Sequence, residues 1–221
     1  LQNHDQAGNR PFGERLHMIA RDECVLAALA IVLLAPSPPL LFMGEEFAAA
    51  TPFLFFCDFE PDLAAAVTRG RREEFRSFAQ FADPAAAERI PDPAAVATFV
   101  RSKVDWRSLS TAPHAEWHGF YRDLLALRHS TIAPLVNAIA LDGRTWRTWA
   151  ETALTVTWPL HDGRVLRLDA NLGDLTARCD DAPKCVRIYA TSGIETFDGV
   201  LPPWSVTWRI DDAQMNRETV R

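Results

Sequence analysis

The amino-acid sequence predicts an α/β region over residues 1–136, followed by a small all-β region over residues 137–221. The first region passes from a polar strand end through a helix and a short apolar strand to an acidic loop. This alternation is typical of a parallel sheet or a (β/α)-barrel. The second region contains short β-like runs separated by turn residues, which predicts an antiparallel sheet or sandwich. With 221 residues, 48% of them hydrophobic, the chain can bury a sizeable core.

The first region begins with ten residues in which polar side chains crowd together, LQNHDQAGNR. A buried strand would instead supply β-branched and aromatic residues at a period of two. The crowding therefore indicates the end of a strand that opens into a functional site, with a polar surface turn as the alternative. Because the chain begins with Leu1 inside this motif, we expect it to be part of a longer protein.

Two further elements are predicted to bring an acidic loop beside this motif. Residues 15–35 are predicted to form a helix with apolar residues on most faces, and residues 37–43 to form a short apolar strand. The acidic stretch 44–47 (GEEF) would turn at the end of that strand. Since the loops that follow barrel strands share one face, this stretch and the pair His4 and Asp5 are expected to face the same cavity.

The remainder of the first region is predicted to contain an aromatic loop, two helices and a connection. Residues 48–60 hold four phenylalanines, which we expect in the core, the alternative being a wall on which a sugar ring stacks. Residues 62–81 are predicted to form a helix interrupted at Gly70, and residues 82–113 to form a connecting loop. A wide apolar stripe predicts an amphipathic helix over residues 116–135.

The second region is predicted to be an antiparallel sheet with tight turns at Asp142-Gly143 and Asp162-Gly163. Apolar residues alternate with threonines in the run ALTVTW, which indicates one buried and one solvated face. Its tryptophans are expected to fill the core, with carbohydrate binding as the alternative. The predicted strands are residues 146–149, 153–158, 165–168, 186–189 and 205–210.

Composition limits the classes of partner. A net charge of -6 and a pI near 5.5 argue against a nucleic-acid surface, which requires clustered Lys and Arg, and favour a neutral or sugar-like partner. The longest apolar run, residues 24–35, is too short to cross a bilayer.

The four cysteines lack paired CxxC spacing, so reduced thiols in the cytoplasm are expected, with a disulfide between Cys179 and Cys185 as the alternative. His114 and His118 have a spacing that could hold a metal, but no third ligand is evident, so no metal site is expected.

Three stretches of the chain resemble the malto-oligosyltrehalose trehalohydrolases, a family of the α-amylase superfamily. The stretch QNHDQAGNRPFGERL resembles the fourth sequence region of that superfamily in the form this family carries. The stretch PLLFMGEEFAAATPFLFFCDFEPDLAAAVTRGRREEF is similar to the family's segment from the eighth barrel strand onward, and PDPAAVATFVRSKVDW to its later loop. They occur in the family's order over most of residues 2–106. The resemblance implies the C-terminal part of a (β/α)8 barrel followed by a terminal β domain.

The resemblance also implies an activity. It is that of a retaining glycoside hydrolase that acts on maltooligosyl trehalose, cleaves the α-1,4 bond next to the trehalose unit, and needs no cofactor. By motif position, Asp5 resembles the carboxylate that stabilises the oxocarbenium-like transition state, and His4 the residue that hydrogen-bonds the sugar. The nucleophile and the acid/base belong to earlier barrel strands. We therefore expect the isolated chain to be inactive.

Four other residues are expected to support this site. Asn3, Gln6 and Arg10 are candidates for binding substrate or for holding the catalytic groups. Glu46 is a further candidate for substrate binding, and with Glu45 it is expected to make a charge-assisted contact with Arg10. Two alternative functions remain open: another α-glucan enzyme such as a glycogen-branching enzyme, which shares the His-Asp pair, and a non-catalytic glucan-binding module.

Overall fold

A computed structural model of the chain describes residues 1–78, 83–179, 185–191, 193–194 and 197–211. The chain divides into two compact units: unit 1 is Leu1–Ala20 with Leu40–Tyr121, and unit 2 is Arg21–Pro39 with Arg122–Arg221. The α-helices of the described residues are α1 (His4–Gly8), α2 (Leu16–Ile19), α3 (Asp22–Leu34), α4 (Pro61–Phe75), α5 (Pro84–Glu88), α6 (Val96–Ser102) and α7 (His114–Leu127).

The opening motif is helical, so its assignment to a strand end is wrong. Residues 37–43 also lie outside any strand, contrary to the prediction. A strand needs a neighbour for its backbone hydrogen bonds, and Pro38 and Pro39 have no N–H to donate. Among the described residues before Thr145 there is no β-strand, and Leu40 is 78% and Met43 48% exposed, so within this chain the apolar run is neither paired as a strand nor buried.

Two of the predicted helices have different limits in the structure. The helix predicted over residues 15–35 is broken into α2 and α3 at Ala20, whose backbone is extended with φ -124° and ψ 156°. Asp22 and Glu23 occupy the first turn of α3, where the helix dipole favours negative charge, so a new helix begins there. Helix α4 runs through Gly70 without the predicted interruption, because one glycine costs a helix only about 1 kcal/mol relative to alanine. The end of that predicted helix, at residues 79–81, lies outside the described residues.

The stretch predicted to be a connecting loop contains two short helices, α5 and α6, and a 3-10 turn at Trp106–Ser110. Helix α5 begins with a capping residue, because the Asp83 side chain accepts a hydrogen bond from the Ala85 N–H at 3.0 Å. A proline follows the cap at the first helical position, where its missing N–H removes no helical hydrogen bond. These two signals make a helix of a stretch whose composition indicates a loop.

The last helix of the first region also ends early. Helix α7 stops at Leu127, continues as a π turn over Arg128–Ile132, and ends in a 3-10 turn over Ala133–Ala138. Pro134 cannot donate to the helical ladder, which explains why regular α-helix does not reach residue 135 as predicted.

The predicted antiparallel sheet is confirmed. The strands of the described residues are β1 (Thr145–Ala150), β2 (Ala153–Pro159), β3 (Val165–Asn171), β4 (Ala177–Arg178), β5 (Val186–Ala190), β6 (Val200–Leu201) and β7 (Ser205–Asp211). Five of them form one sheet in the order β1-β2-β3-β7-β5, and β4 pairs with β6. Gly163, at φ 89°, turns the chain between β2 and β3 as predicted, whereas Gly143 precedes β1 and joins no two paired strands.

The core of unit 2 forms where α3 packs against β7. The indole of Trp208 is fully buried, donates a hydrogen bond from Nε1 to the Ala30 carbonyl at 3.1 Å, and stacks on Trp158 at 5.4 Å. The expectation that tryptophans fill this core is therefore confirmed for Trp208. It is wrong for Trp146, which is 77% exposed on the edge strand β1.

The described residues bear on the predictions about membrane crossing, metal binding and the disulfide. No helix there combines the length and the apolar character that a membrane crossing requires. No three His, Cys, Asp or Glu side chains converge in a way that could hold a metal ion. Cys179 and Cys185 do not form the alternative disulfide.

Candidate active site

Helix α1 is fixed by reciprocal hydrogen bonds between Asn3 and Gln6. The Asn3 side chain accepts hydrogen bonds from the N–H groups of Asp5 at 2.8 Å and of Gln6 at 3.2 Å, and the Gln6 side chain accepts one from the Asn3 N–H at 2.7 Å. This arrangement is a capping box, which satisfies backbone donors that the first helical turn leaves unpaired. The polar atoms of Asn3 and Gln6 therefore support the local fold.

His4 and Asp5 occupy the same helical turn and point their side chains outward. The imidazole Nε2 and the carboxylate Oδ1 lie 3.3 Å apart, and each side chain is 69% exposed. An exposed carboxylate next to an imidazole is available both to accept hydrogen bonds and to face a developing positive charge. Unlike Asn3 and Gln6, this pair has side chains that take no part in the capping of α1.

Arg71 of helix α4 anchors the other end of α1. Its buried guanidinium donates from Nη2 to the carbonyls of Gly8 at 2.6 Å and Arg10 at 2.9 Å. The same group lies 4.8 Å from the ring of Phe55 and 5.2 Å from that of Phe75. Burial lowers the pKa of Arg71 from its usual value. The carbonyl of the last residue of α1 and that of Arg10 thus share a charged donor, which holds the helix in place.

A second buried arginine, Arg15, organises the acidic loop. It is completely buried and donates from Nε to the Thr51 carbonyl at 2.7 Å and from Nη1 to the Met43 carbonyl at 2.8 Å. Burial lowers its pKa, and the charges of Glu46 and Glu45 act against that shift. The prediction that Arg10 makes a charge-assisted contact with Glu45 and Glu46 is wrong. Arg10 donates to the Glu14 carbonyl instead, and Arg15 is the positive charge that acts on these two carboxylates.

Glu45 and Glu46 occupy different environments within the acidic loop. Glu45 is 3% exposed, and burial raises the pKa of its carboxyl group, although hydrogen bonds from the Phe42 backbone and the Gln2 side chain oppose the rise. Glu46 is only partly buried. The Gln2 side chain also accepts a hydrogen bond from the Leu16 N–H at 3.0 Å. Gln2 therefore links the opening motif to the acidic loop.

The sharp turn into this loop requires a glycine. Gly44 has φ 83°, and a Cβ placed on it would lie 2.9 Å from the Cβ of Ala49 and 3.3 Å from Arg15 Nη2. Both the left-handed backbone and the close approach exclude a side chain. Gly44 thus allows the loop to pack directly on the buried guanidinium of Arg15.

The aromatic loop is more exposed than expected. Phe55 and Phe56 are each 37% exposed and Phe59 is 49% exposed, while Phe53 is half-buried. The prediction that these four rings form core is therefore wrong for three of them. In the described residues the loop has no regular secondary structure, so alternate side chains are not directed to one buried face.

A family model described as "Domain of unknown function (DUF3459)" matches residues 142–208 of the chain. That range begins shortly before strand β1 and ends within β7. The match therefore covers the antiparallel sheet of unit 2 and leaves the opening motif outside it.

Sequence comparison also finds relatives that are named malto-oligosyltrehalose trehalohydrolase. The relative from Brevibacterium helvolum is 38% identical over an alignment of 214 positions that covers 92% of this chain and 33% of that protein. The relative from Deinococcus radiodurans is 48% identical over 130 residues, which are 58% of this chain and 21% of that protein. The chain thus spans a third or less of the length of these relatives.

Among solved structures, the chain is similar to a 1.4 Å crystal structure from Salmonella typhimurium that is described as a candidate alpha amylase. The two are 38% identical with a TM-score of 0.83, over 96% of this chain and 34% of that one. An isomaltulose synthase from Erwinia rhapontici, 12% identical with a TM-score of 0.53 over 96% of this chain and 42% of that one, shares the fold alone.

Proposed function

We propose that the chain, which is a homologue of the malto-oligosyltrehalose trehalohydrolases, forms part of a glycoside hydrolase that releases trehalose from maltooligosyl trehalose. The bond cleaved is the α-1,4 bond next to the trehalose unit. The observation that carries this proposal is the exposed pair of His4 and Asp5 on a helix that is capped at one end and anchored by Arg71 at the other. A site of this kind holds its reactive groups in a fixed geometry.

In this proposal Asp5 stabilises positive charge at the anomeric carbon during cleavage. The transition state of glycoside hydrolysis is oxocarbenium-like, so a carboxylate that faces the sugar ring lowers its energy. His4 hydrogen-bonds the sugar hydroxyls in the same subsite. Asn3 and Gln6 hold α1, and Glu46 and Arg10 are further candidates for substrate binding.

A retaining reaction also requires a carboxylate nucleophile and a carboxylic acid that protonates the leaving oxygen. We infer that residues outside this chain supply both groups. The inference is supported by the third or less of the relatives' length that the chain spans. Hydrolysis needs all three carboxylates at one sugar ring, so the chain alone is expected to have no activity.

The proposed architecture follows the relatives. Residues 1–136 would form the last part of a (β/α)8 barrel in a cytoplasmic enzyme, and residues 137–221 would form its terminal β domain. The similarity to the Salmonella typhimurium structure over 96% of the chain supports this assignment. In such an enzyme, the carbonyl and N–H groups that lack strand partners in residues 37–43 would pair with neighbouring barrel strands.

The test is a chimera in which this chain replaces the segment of the Brevibacterium helvolum relative that aligns with it. We call this protein the trehalohydrolase chimera. It is expected to release trehalose from maltooligosyl trehalose, whereas the chain alone is expected to release none. The released trehalose is quantified by chromatography.

Two outcomes would contradict the proposed activity, and circular dichroism shows whether an inactive chimera has simply failed to fold. A chimera that folds, as judged by circular dichroism, and cleaves other α-1,4 glucans without releasing trehalose would favour a different α-glucan enzyme. Trehalose release by the isolated chain at the rate of the chimera would contradict the missing-carboxylate argument.

A further inference from the structure

A cavity of about 320 Å³ in unit 1 is lined by residues from the C-terminal half of α4 and from α5. Three of the lining residues are arginines, Arg69, Arg72 and Arg76, and the proposed function gives none of them a role. The volume falls within the range of small-molecule sites in proteins, roughly 300–1,000 Å³. The cavity therefore has room for a ligand larger than a single inorganic ion. We call it the arginine cavity.

The three arginines share one face of α4 because they are spaced three and four residues apart. A different face of the same helix points inward. Arg71 and Phe75 are buried there, and Arg71 donates to the Gly8 carbonyl at the end of α1. The face that lines the arginine cavity is therefore distinct from the face that anchors α1.

Arg72 carries a donor that this part of the fold leaves unused. Its side chain is half-buried, and its Nε is shielded from solvent without a hydrogen-bond partner in the described part of the chain. Leaving a buried donor of a charged group unpaired is costly, and folded proteins pair nearly all such groups. An acceptor oxygen from a bound ligand would satisfy this N–H.

The charges around the cavity leave two guanidinium groups for a ligand. Glu73 and Glu88 also line the cavity, and Arg76 Nη1 donates to Glu73 Oε2 at 2.6 Å. Arg69 is exposed, and neither Arg69 nor Arg72 forms an ion pair with another residue that the structure describes. An anion with two negative charges would therefore match the two arginines that have no such partner.

The acidic residue Asp92 lies outside the lining, and its charge interacts with that of Arg72. Its Oδ1 is already engaged, because it accepts hydrogen bonds from the Thr68 hydroxyl at 2.7 Å and from the Ala94 N–H at 3.0 Å. Asp92 thus lowers the net positive charge near Arg72 without supplying the acceptor that Nε lacks.

We propose that the arginine cavity binds the phosphate group of a small phosphomonoester, held by Arg69 and Arg72, with one phosphate oxygen accepting a hydrogen bond from Arg72 Nε. Such a group carries a charge of about -1.5 to -2 at pH 7 and three acceptor oxygens, and planar guanidinium groups bind phosphate through paired hydrogen bonds. A carboxylate has one charge and would leave one guanidinium uncompensated. The rest of the cavity, beside Ala87, holds the organic part of the ester.

The experiment titrates glycerol 3-phosphate and, separately, inorganic phosphate with the full chain at neutral pH and constant ionic strength. Phosphorus NMR of the ligand reports binding directly. A dissociation constant on the order of 1 mM or lower is expected for the ester. Inorganic phosphate is expected to bind about threefold or more weakly, because it lacks the organic part that fills the remaining volume.

Arg69→Ala and Arg72→Ala are each expected to weaken binding of the ester by about tenfold or more, since each removes a guanidinium group. Arg72→Lys keeps the charge but lacks the Nε–H and the planar group, so its affinity should lie between those of the unaltered chain and Arg72→Ala. Glu73→Gln removes a negative charge and frees Arg76, and it should tighten binding by about threefold.

Arg101→Ala is the matched control. Arg101 is an exposed arginine of α6 that does not line the cavity, so its removal should leave binding unchanged, and circular dichroism verifies that each variant folds. Absence of saturable binding of either ligand would overturn the proposal. Equal weakening in Arg101→Ala and Arg72→Ala would do the same, because it would indicate general attraction of anions to the surface.

The comparison of the two ligands tests the choice of an ester. If inorganic phosphate binds as tightly as glycerol 3-phosphate, the organic part contributes nothing, and the assignment to a phosphomonoester is overturned in favour of the free ion. The titration involves no glucan and no catalysis. Its result is therefore independent of whether the trehalohydrolase chimera releases trehalose.

Discussion

Asn3 and Gln6 hold each other across the first turn of α1, because each side chain accepts a hydrogen bond from the other residue's backbone N–H, at 3.2 Å and 2.7 Å. The two residues between them, His4 and Asp5, make no use of their side chains in this capping. Two amides thus set the backbone from which the imidazole and the carboxylate project. This division separates residues that position the proposed site from those that would contact substrate.

The capping box predicts the effect of Asn3→Ala. Loss of the cap is expected to cost about 1 kcal/mol of local stability, so the amide protons of Asp5 and Gln6 should exchange with solvent about fivefold faster or more. Hydrogen exchange followed by NMR measures this directly. Asn9→Ala, at the exposed C-terminal end of α1, is the matched control, and equal acceleration in both variants would contradict the capping role.

Arg71 predicts a larger effect on stability. Arg71→Lys keeps the charge but cannot reproduce a planar group that both reaches two carbonyls and packs between Phe55 and Phe75. Because hydrogen bonds to a charged donor contribute roughly 1.5–3 kcal/mol, a loss of about 2 kcal/mol is expected in urea unfolding. Arg69→Lys, exposed on the same helix, should change stability little. A similar loss in both variants would argue against a specific anchor.

Unit 2 contains a buried charged cluster around Asp169, and we expect its loss to lower the free energy of unfolding. Asp169 is completely buried and accepts hydrogen bonds from Arg167 at 3.0 Å, Arg209 at 2.5 Å and the Thr155 hydroxyl at 2.6 Å. Asp169→Asn removes the only negative charge in this set of four residues and is expected to cost about 3 kcal/mol or more. Asp162→Asn, in an exposed pair with Arg164, should cost less than about 1 kcal/mol in the same urea titration. Comparable losses would contradict the structural importance of the buried cluster.

Glu45 predicts a pH dependence of stability. Burial raises its pKa in the folded chain above the ordinary value of 4.5, so the folded state binds more protons than the unfolded state as pH rises above about 4.5. Stability therefore decreases with rising pH through that window, up to the raised pKa. Glu45→Gln removes the ionisation, and its thermal unfolding temperature should vary less with pH above 4.5. Glu60→Gln, at an exposed position, should keep the dependence of the unaltered chain, and an equal slope in Glu45→Gln would exclude Glu45 as its source.

The part of the fold that local pattern determines was predictable from sequence. Alternation of apolar residues with threonines in β2 is a property of consecutive residues, and the strands it predicts are present. The run over residues 37–43 was not predictable in the same way. An apolar run indicates burial, but whether it pairs as a strand depends on neighbours that are distant in sequence.

The candidate site shows the same limit. The asparagine and glutamine spaced three apart in the opening motif are a capping-box signal, but the crowding of polar residues instead predicts a strand end there, with Asn3 and Gln6 as candidates for substrate binding or site support. The burial of Arg15 and Arg71 was not readable from sequence, because the carbonyls they bind lie 28 to 63 residues away along the chain. Only the folded chain brings those carbonyls to one guanidinium.

The catalytic assignment of Asp5 is tested most directly by the rate of trehalose release from the trehalohydrolase chimera carrying Asp5→Asn. The side chain keeps its size but loses its charge, so kcat should fall by on the order of 10²–10³-fold or more while KM changes little. Asp22→Asn, which alters an exposed carboxylate at the start of α3, should keep the rate of the unaltered chimera. If Asp5→Asn releases trehalose as fast as Asp22→Asn does, Asp5 is not a catalytic carboxylate.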